Sequence, residues 1–424
     1  MTVPPHEPNF SPRAAFLFLS VYFLALAVCV VVPRALSFLP STVALSGLIY
    51  LYARHRMLPK IDKTLAVFFA AFSALACLSS FWSPDPEYGF EKALKTSALL
   101  LSGLIPLAAA GAIPPFSGNK NKIAITATCF CAIAGFALAF EYTSHYSITR
   151  FLLGIDSPHA YDWPAPIKKG FLLNRSSVFL VLLSMPVALM LKGADIPRLK
   201  KYAFGIFLLS GIFTLGFTSQ SQTALIAALL FFPALAFPAG NKAARRTFLL
   251  LLLGTTIAAP FIISPLQKLL VPQGGTEDAH SFLTEASIPH RFEVWTFVSE
   301  QIMTSPIFGQ GIEATRHMRA GYIMPHMRAD HVLHPHNAIL QIWIEFGLAG
   351  IVLLMVFFCV IVRRIGFMRQ DVQRYALAFF IVLLAVLSMG YGLWQAWLIG
   401  MIQTLVAVSM MAARLFDGQT KTAA

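Results

Sequence analysis

Residues 337–362 read NAILQIWIEFGLAGIVLLMVFFCVIV. This apolar run exceeds the ~20 residues that a helix needs to cross a hydrocarbon core of about 30 Å. The same signature recurs on both sides of it. Toward the N-terminus it marks Ala14–Val32, Ala35–Ala53, Thr64–Phe81, Ala93–Ala112, Ile123–Phe140, Ser176–Leu191, Tyr202–Phe217, Thr223–Phe237 and Thr247–Ile263. Toward the C-terminus it marks Tyr375–Met389 and Gln395–Ala413. The fold class expected is therefore all-α integral membrane, with about 12 transmembrane helices. Composition agrees: of 424 residues, 57% are hydrophobic and only 12% are charged, and the mean hydropathy is +0.70. A soluble domain, about a quarter charged, a disordered chain and a secreted disulfide scaffold are all excluded. The five cysteines fall inside apolar runs and read as packing residues.

The net charge of +13 is a topology signal. With the N-terminus inside, the inner loops hold 20 of the 32 Lys and Arg residues and five of the 19 acids. The outer segments then come close to neutral, as the positive-inside rule requires. The chain divides into a disordered cytoplasmic N-terminus over 1–13, transmembrane spans 1–9 over 14–263, and a large outer loop over 264–336 between spans 9 and 10. Spans 10–12 follow over 337–413, with a cytoplasmic tail over 414–424. No nucleic-acid partner is implied; the excess positive charge faces membrane lipids. The outer loop contains an amphipathic helix over His290–Met303, with Phe292, Trp295, Val298 and Ile302 at helical spacing. Pro306 and Gly309-Gln310-Gly311 are expected to end it.

The sharpest local feature is His334-Pro335-His336-Asn337 at the start of the tenth span. A histidine at a membrane–water boundary reaches water and a bilayer-anchored substrate together. Asn337 stands where an N-cap belongs. Gly347 and Gly350, three apart, are expected on one helical face, open to a neighbouring helix or lipid tail. The plainer reading is an interfacial cap with helix-packing glycines.

His336-Asn337, nine residues, Gly347, two residues and Gly350 resemble the signature of the O-antigen ligase and polysaccharide polymerase superfamily. Ser80–Glu87, Gly170–Ser177, Arg291–Trp295 and Pro306–Gly311 are similar to further pieces of that family, in the same order. The resemblance implies a metal-independent glycosyltransferase without cofactor in the bacterial inner membrane, its active site facing the periplasm. Its donor would be a glycan on undecaprenyl diphosphate, and its acceptor a hydroxyl of lipid A–core or of a growing glycan. His336 is then the catalytic base, taking the proton of the acceptor hydroxyl as that oxygen attacks with inversion. Arg291 and Arg175 hold the diphosphate, because a guanidinium bonds phosphate bidentately and stays charged. Gln222 stands where the family commonly has a basic residue. Asn337, His334, Trp295, Gly347 and Gly350 support the site, with His331 and His326 as further sugar-binding or orienting candidates. Lys168, Lys169, Arg316, Arg319 and Arg328 are secondary candidates for phosphate. Trp82, Tyr88, Tyr161, Trp163 and Trp295 read as interfacial aromatics. O-antigen ligase is the favoured reading. A polymerase of O-antigen or exopolysaccharide units shares the motif, and a lipid or glycan transporter is the rival of another class.

Overall fold

The computed structural model describes residues 9–114, 120–152, 154–155, 173–270, 288–324 and 329–417. Its helices, in chain order, are α1 Pro12–Val31, α2 Leu39–His55, α3 Lys63–Ser79, α4 Pro86–Ser102, α5 Leu104–Gly111, α6 Lys120–Thr143, the short α7 Ser147–Leu152, α8 Asn174–Gly193, α9 Arg198–Thr218, α10 Gln222–Ala236, α11 Lys242–Leu270 and α12 Ile288–Ile302. A small antiparallel pair follows, β1 Arg319–Met324 with β2 Ala329–His331. The chain closes with α13 Ala338–Gly366, α14 Gln370–Met389 and α15 Ala396–Asp417. The protein is an all-α membrane protein: among the described residues, ten helical segments are long and apolar enough to cross a bilayer. α2 and α10 stand where the second and eighth spans were expected but fall short of that length.

Several boundaries differ from the sequence reading. The expectation of disorder over 1–13 does not hold at its end, where Phe10 is buried, stacks on Phe18 at 4.9 Å and donates its N–H to the Ala112 carbonyl. An aromatic ring at the first helix start has apolar surface to cover. α11 runs on to Leu270 through Pro260 and Pro265, so the outer loop begins later than residue 264. The fourth span breaks at Gly103, where Gln403 of α15 inserts and donates to the Leu99 carbonyl (2.7 Å). The β1–β2 pair was not anticipated.

Three hydrophobic clusters organise the bundle, the smallest joining α11, α13 and α14 around Phe358, Val362 and Phe380. α8, almost wholly buried, is the hub of the first, which draws in α1, α2, α5, α6, α9, α10, α14 and α15. α6 and α9 approach closely where Gly135 meets Gly211: a Cβ on Gly135 would lie 2.6 Å from the Gly211 carbonyl oxygen, the small-residue contact that membrane helices favour. The second cluster joins α3, α11, α12 and α13. Ion pairs Lys120–Asp195, Lys192–Asp371 and Arg364–Asp62 tie loops at one end of the bundle. At the other end, residues 390–395 between α14 and α15 meet the His334–Asn337 segment.

Candidate active site

Asn337 caps α13, its Oδ1 accepting the N–H groups of Ile339 (3.0 Å) and Leu340 (3.2 Å). The residue before it, His336, has φ +54°, a left-handed conformation that side chains adopt only where surroundings hold it. Two long-range bonds hold this one. Trp295 on α12 donates its indole N–H to the Pro335 carbonyl (2.8 Å), and His336 Nδ1 lies 2.7 Å from the Gly390 carbonyl oxygen. A carbonyl can only accept, so Nδ1 carries the proton and Nε2 keeps its lone pair. Burial holds the His336 pKa below the ordinary histidine value; the Gly390 bond works against this, and the charges of Arg291 and His290 add to it. This is a neutral imidazole with one nitrogen committed and the other available.

His334 packs beside it, ring centroids 4.2 Å apart. Burial, with His336 and Arg316 nearby, pushes its pKa down to about 3, so it is neutral too and wedges the site against Gly392.

Tyr391 gathers the cationic side of the site. Its hydroxyl bonds Ser221, feels the charges of both Arg175 and Arg291, and is pushed up to about 12 by burial. Arg175, at the start of α8, lies over the Trp397 ring at 5.1 Å, and Trp397 meets Tyr391 edge-on at 4.7 Å. Arg291 is half-buried in the first turn of α12, one turn ahead of Trp295. Ser221 is the N-cap of α10 and accepts from Ala224 N–H (3.3 Å), which puts Gln222 at the first position of that helix, close in sequence to the Ser221–Tyr391 bond. His336, Arg291, Arg175 and the start of α10 thus converge, although they belong to four separate helices or their approaches.

The segment between α12 and α13 braces this arrangement. α13 breaks at Gly347, whose φ +58° and ψ −150° interrupt the helical ladder. The turn from Pro306 to Gly311 fills the break. Gln310 and Gly311 donate N–H groups to Ile344 and Glu345 (2.8 and 2.9 Å), while Leu348 and Ala349 donate to Pro306 and Ile307 (2.8 and 3.1 Å). A Cβ at Gly347 would lie 2.6 Å from Gly309 N. Gly347 and Gly350 therefore do not share one continuous helical face, as the spacing had suggested; Gly347 receives the loop backbone, and Gly350 lies beneath Phe346 and Ile342. Below the break, buried Glu345 accepts from Gln341 (2.9 Å) and Trp394 (2.6 Å), and Gln341 accepts from Leu393 N–H (2.8 Å). That network anchors the same short segment that carries Gly390 and Tyr391. Ser79 and Ser83 dock on Ile312 (3.2 and 3.1 Å), bringing the Ser80–Glu87 stretch to the same turn.

Several other candidates have partners of their own. Arg316 pairs with Glu313 (2.6 Å), and Arg319 and His331 both pair with Asp330 (3.1 and 3.0 Å). Trp82 contacts Phe308 and Tyr88 contacts His317. Lys168, Lys169, Arg328, His326, Tyr161 and Trp163 lie outside the described residues. Among the described residues, no three His, Cys, Asp or Glu side chains group in a way that could hold a metal ion. Tyr391, Gly390, Gln341, Glu345 and Trp394 were missed by sequence reasoning. The available signal was the Gly390-Tyr391-Gly392 triplet, an aromatic between glycines in the turn between two apolar runs.

Residues 204–355 match the protein-family model described as O-antigen ligase. Curated relatives are provisionally named polysaccharide ligases. The chain is 28% identical over 162 residues to one from Rickettsia conorii (strain ATCC VR-613 / Malish 7), covering 36% of this chain and 38% of the relative. It is 28% identical over 159 residues to one from Rickettsia prowazekii (strain Madrid E), covering 36% and 39%. A third, from Rickettsia felis (strain ATCC VR-1525 / URRWXCal2), is 30% identical over 120 residues, covering 27% and 30%. The chain spans under two-fifths of the length of these relatives. The family match contains Gln222, Arg291, Trp295 and His336 but stops short of Tyr391 and begins after Arg175.

Proposed function

We propose, from the match of residues 204–355 to the O-antigen ligase family model, that the protein is a membrane glycosyltransferase that moves a polysaccharide from undecaprenyl diphosphate to a hydroxyl of lipid A–core. The observation that carries this reading is the Nδ1–H···O bond from His336 to Gly390, with Arg291 and Arg175 both close enough to Tyr391 to influence it. It leaves a lone pair at Nε2 beside a two-arginine site.

In the proposed reaction, Nε2 takes the proton of the acceptor hydroxyl as that oxygen bonds the anomeric carbon of the donor. The bond from that carbon to the diphosphate oxygen breaks, and the electron pair leaves with undecaprenyl diphosphate. Negative charge grows on the leaving oxygen, where Arg291 and Arg175 supply fixed positive charge in a site shielded from water. Attack opposite the leaving group inverts the anomeric centre. Tyr391 stays protonated and acts as a hydrogen-bond donor between the arginines. Gln222, in place of a basic residue, contributes neutral hydrogen bonds. The relatives' naming as polysaccharide ligases favours transfer to an acceptor over polymerisation, and the orientation proposed puts the site at the periplasmic face of the inner membrane.

The test is His336→Ala in cells. The protein is expected to remain inserted and abundant, undecaprenyl-linked chains to accumulate outside, and lipid A–core to carry none. Core capped by a single repeat unit would identify a polymerase instead, and lipid-linked sugar trapped inside would identify a transporter. Normal chain attachment in a well-expressed variant would remove His336 from the chemistry.

A further inference from the structure

We propose that the end of the bundle opposite His336 holds a binding site for an anionic diacyl phospholipid, in the groove between α11 and α13. α13 begins at the active site and ends at Gly366, so residues near its C-terminus lie at the other membrane face. Two adjoining hollows open there. The first, of about 380 Å³, is lined by Leu253, Val352, Met355, Val356 and Cys359, and Arg363 closes its end. The second, of about 300 Å³, continues past Cys359 and Arg363 to Lys242, Arg245 and Arg246. Their sizes fall in the range of ~300–1,000 Å³ typical of ligand sites.

The two hollows divide the labour as a lipid does. The upper one is apolar along its length, and Val352 and Val356 face outward at 52% exposure each. The lower one gathers four cations and no carboxylate. None of the four forms an ion pair with a carboxylate among the described residues, whereas the adjacent Arg364 is paired with Asp62. Arg245 is steadied by donating to the Ala239 carbonyl, and Arg363 rests over Phe367 at 5.9 Å. Unneutralised cations at the mouth of an apolar groove between membrane helices suit an anionic headgroup with its acyl chain laid alongside. A zwitterionic lipid brings its own cation into that cluster and is disfavoured. Free phosphate leaves the apolar hollow unused. Charge complementarity therefore selects the anionic lipid, and the proposal stands apart from the reaction assigned to His336.

The test is native mass spectrometry of the purified full chain, offered phosphatidylglycerol and phosphatidylcholine in equal amounts. Wild type is expected to retain phosphatidylglycerol with a preference of about tenfold, and inorganic phosphate should not displace it. Arg246→Gln with Arg363→Gln should abolish the preference. Val356→Trp, which fills the apolar hollow and keeps every charge, should cut phosphatidylglycerol retention to a similar extent. Equal retention of the two lipids by wild type, undiminished retention by Val356→Trp, or displacement by inorganic phosphate would each overturn the proposal.

Discussion

At His336, one hydrogen bond decides the chemistry open to the ring. The Gly390 carbonyl accepts a hydrogen bond from Nδ1–H, so the lone pair is on Nε2, and burial with nearby positive charge disfavours the imidazolium. The sign follows directly. Protonation removes the base, and because the folded-site pKa is lowered, the base persists to more acidic pH than a free histidine near 6.5 would. The acid limb of kcat/KM is therefore expected below pH 6.5. Arg291→Gln deletes one of the charges that lowers the pKa, so the limb should move to higher pH as overall activity falls by about tenfold or more, about 1.4 kcal/mol of transition-state stabilisation. A limb that stays in place in that variant would separate Arg291 from His336. The identity of His336 as a candidate was legible from its place before an apolar run. Its tautomer was not, because the acceptor lies 54 residues away in a turn between two other helices.

Among the elements, α13 carries the largest departure from periodicity. An uninterrupted run predicts an uninterrupted helix, yet the backbone turns out at Gly347, and four loop hydrogen bonds replace those the helix gives up. The conformation at Gly347 is open only to glycine without strain, and the space a side chain would need is taken by Gly309 and Ile307. Gly347→Ala is expected to destabilise the loop–helix junction by about 1–3 kcal/mol or more. The outcome should be read as faster limited proteolysis between residues 288 and 324 and loss of transferase activity, with the protein still inserted. Unchanged proteolysis would mean that the junction is not held by this contact. The amphipathic pattern of residues 290–303 correctly located α12, observed over Ile288–Ile302, since its periodicity is local. The break in α13 was hidden because what compensates it comes from the Pro306–Gly311 turn.

For the whole molecule, orientation and the source of positive charge lead to two measurements. With the charge division read from the loops, single cysteines at Asn241 or Gly366 in a cysteine-less background should resist an impermeant thiol reagent in intact cells. One at Tyr322, exposed on β1, should react. Labelling at Asn241 would reverse the orientation and move the proposed active site to the cytoplasmic side. The proposed mechanism draws its positive charge from arginines. Chelators should accordingly leave the activity of purified, lipid-reconstituted protein within about twofold, a shift well under the 1.4 kcal/mol that a tenfold change represents. Loss on chelation with rescue by one divalent ion would require a different account of the leaving group.

The sequence by itself determined the membrane class, most helix positions, the outer loop helix, the Asn337 cap and the candidacy of His336, Arg291 and Arg175. The two arginines came from the family resemblance; the others depend on composition or on spacing within a single element, which hydropathy, periodicity and capping chemistry report directly. The tertiary structure alone decided that Tyr391 lies within the influence of both arginines, that Gly390 sets the histidine tautomer, and that the Pro306–Gly311 turn completes a broken helix. Those features pair groups from distant helices. A backbone carbonyl, a buried phenol and a helix break acquire their roles only when folding brings their partners within hydrogen-bonding distance.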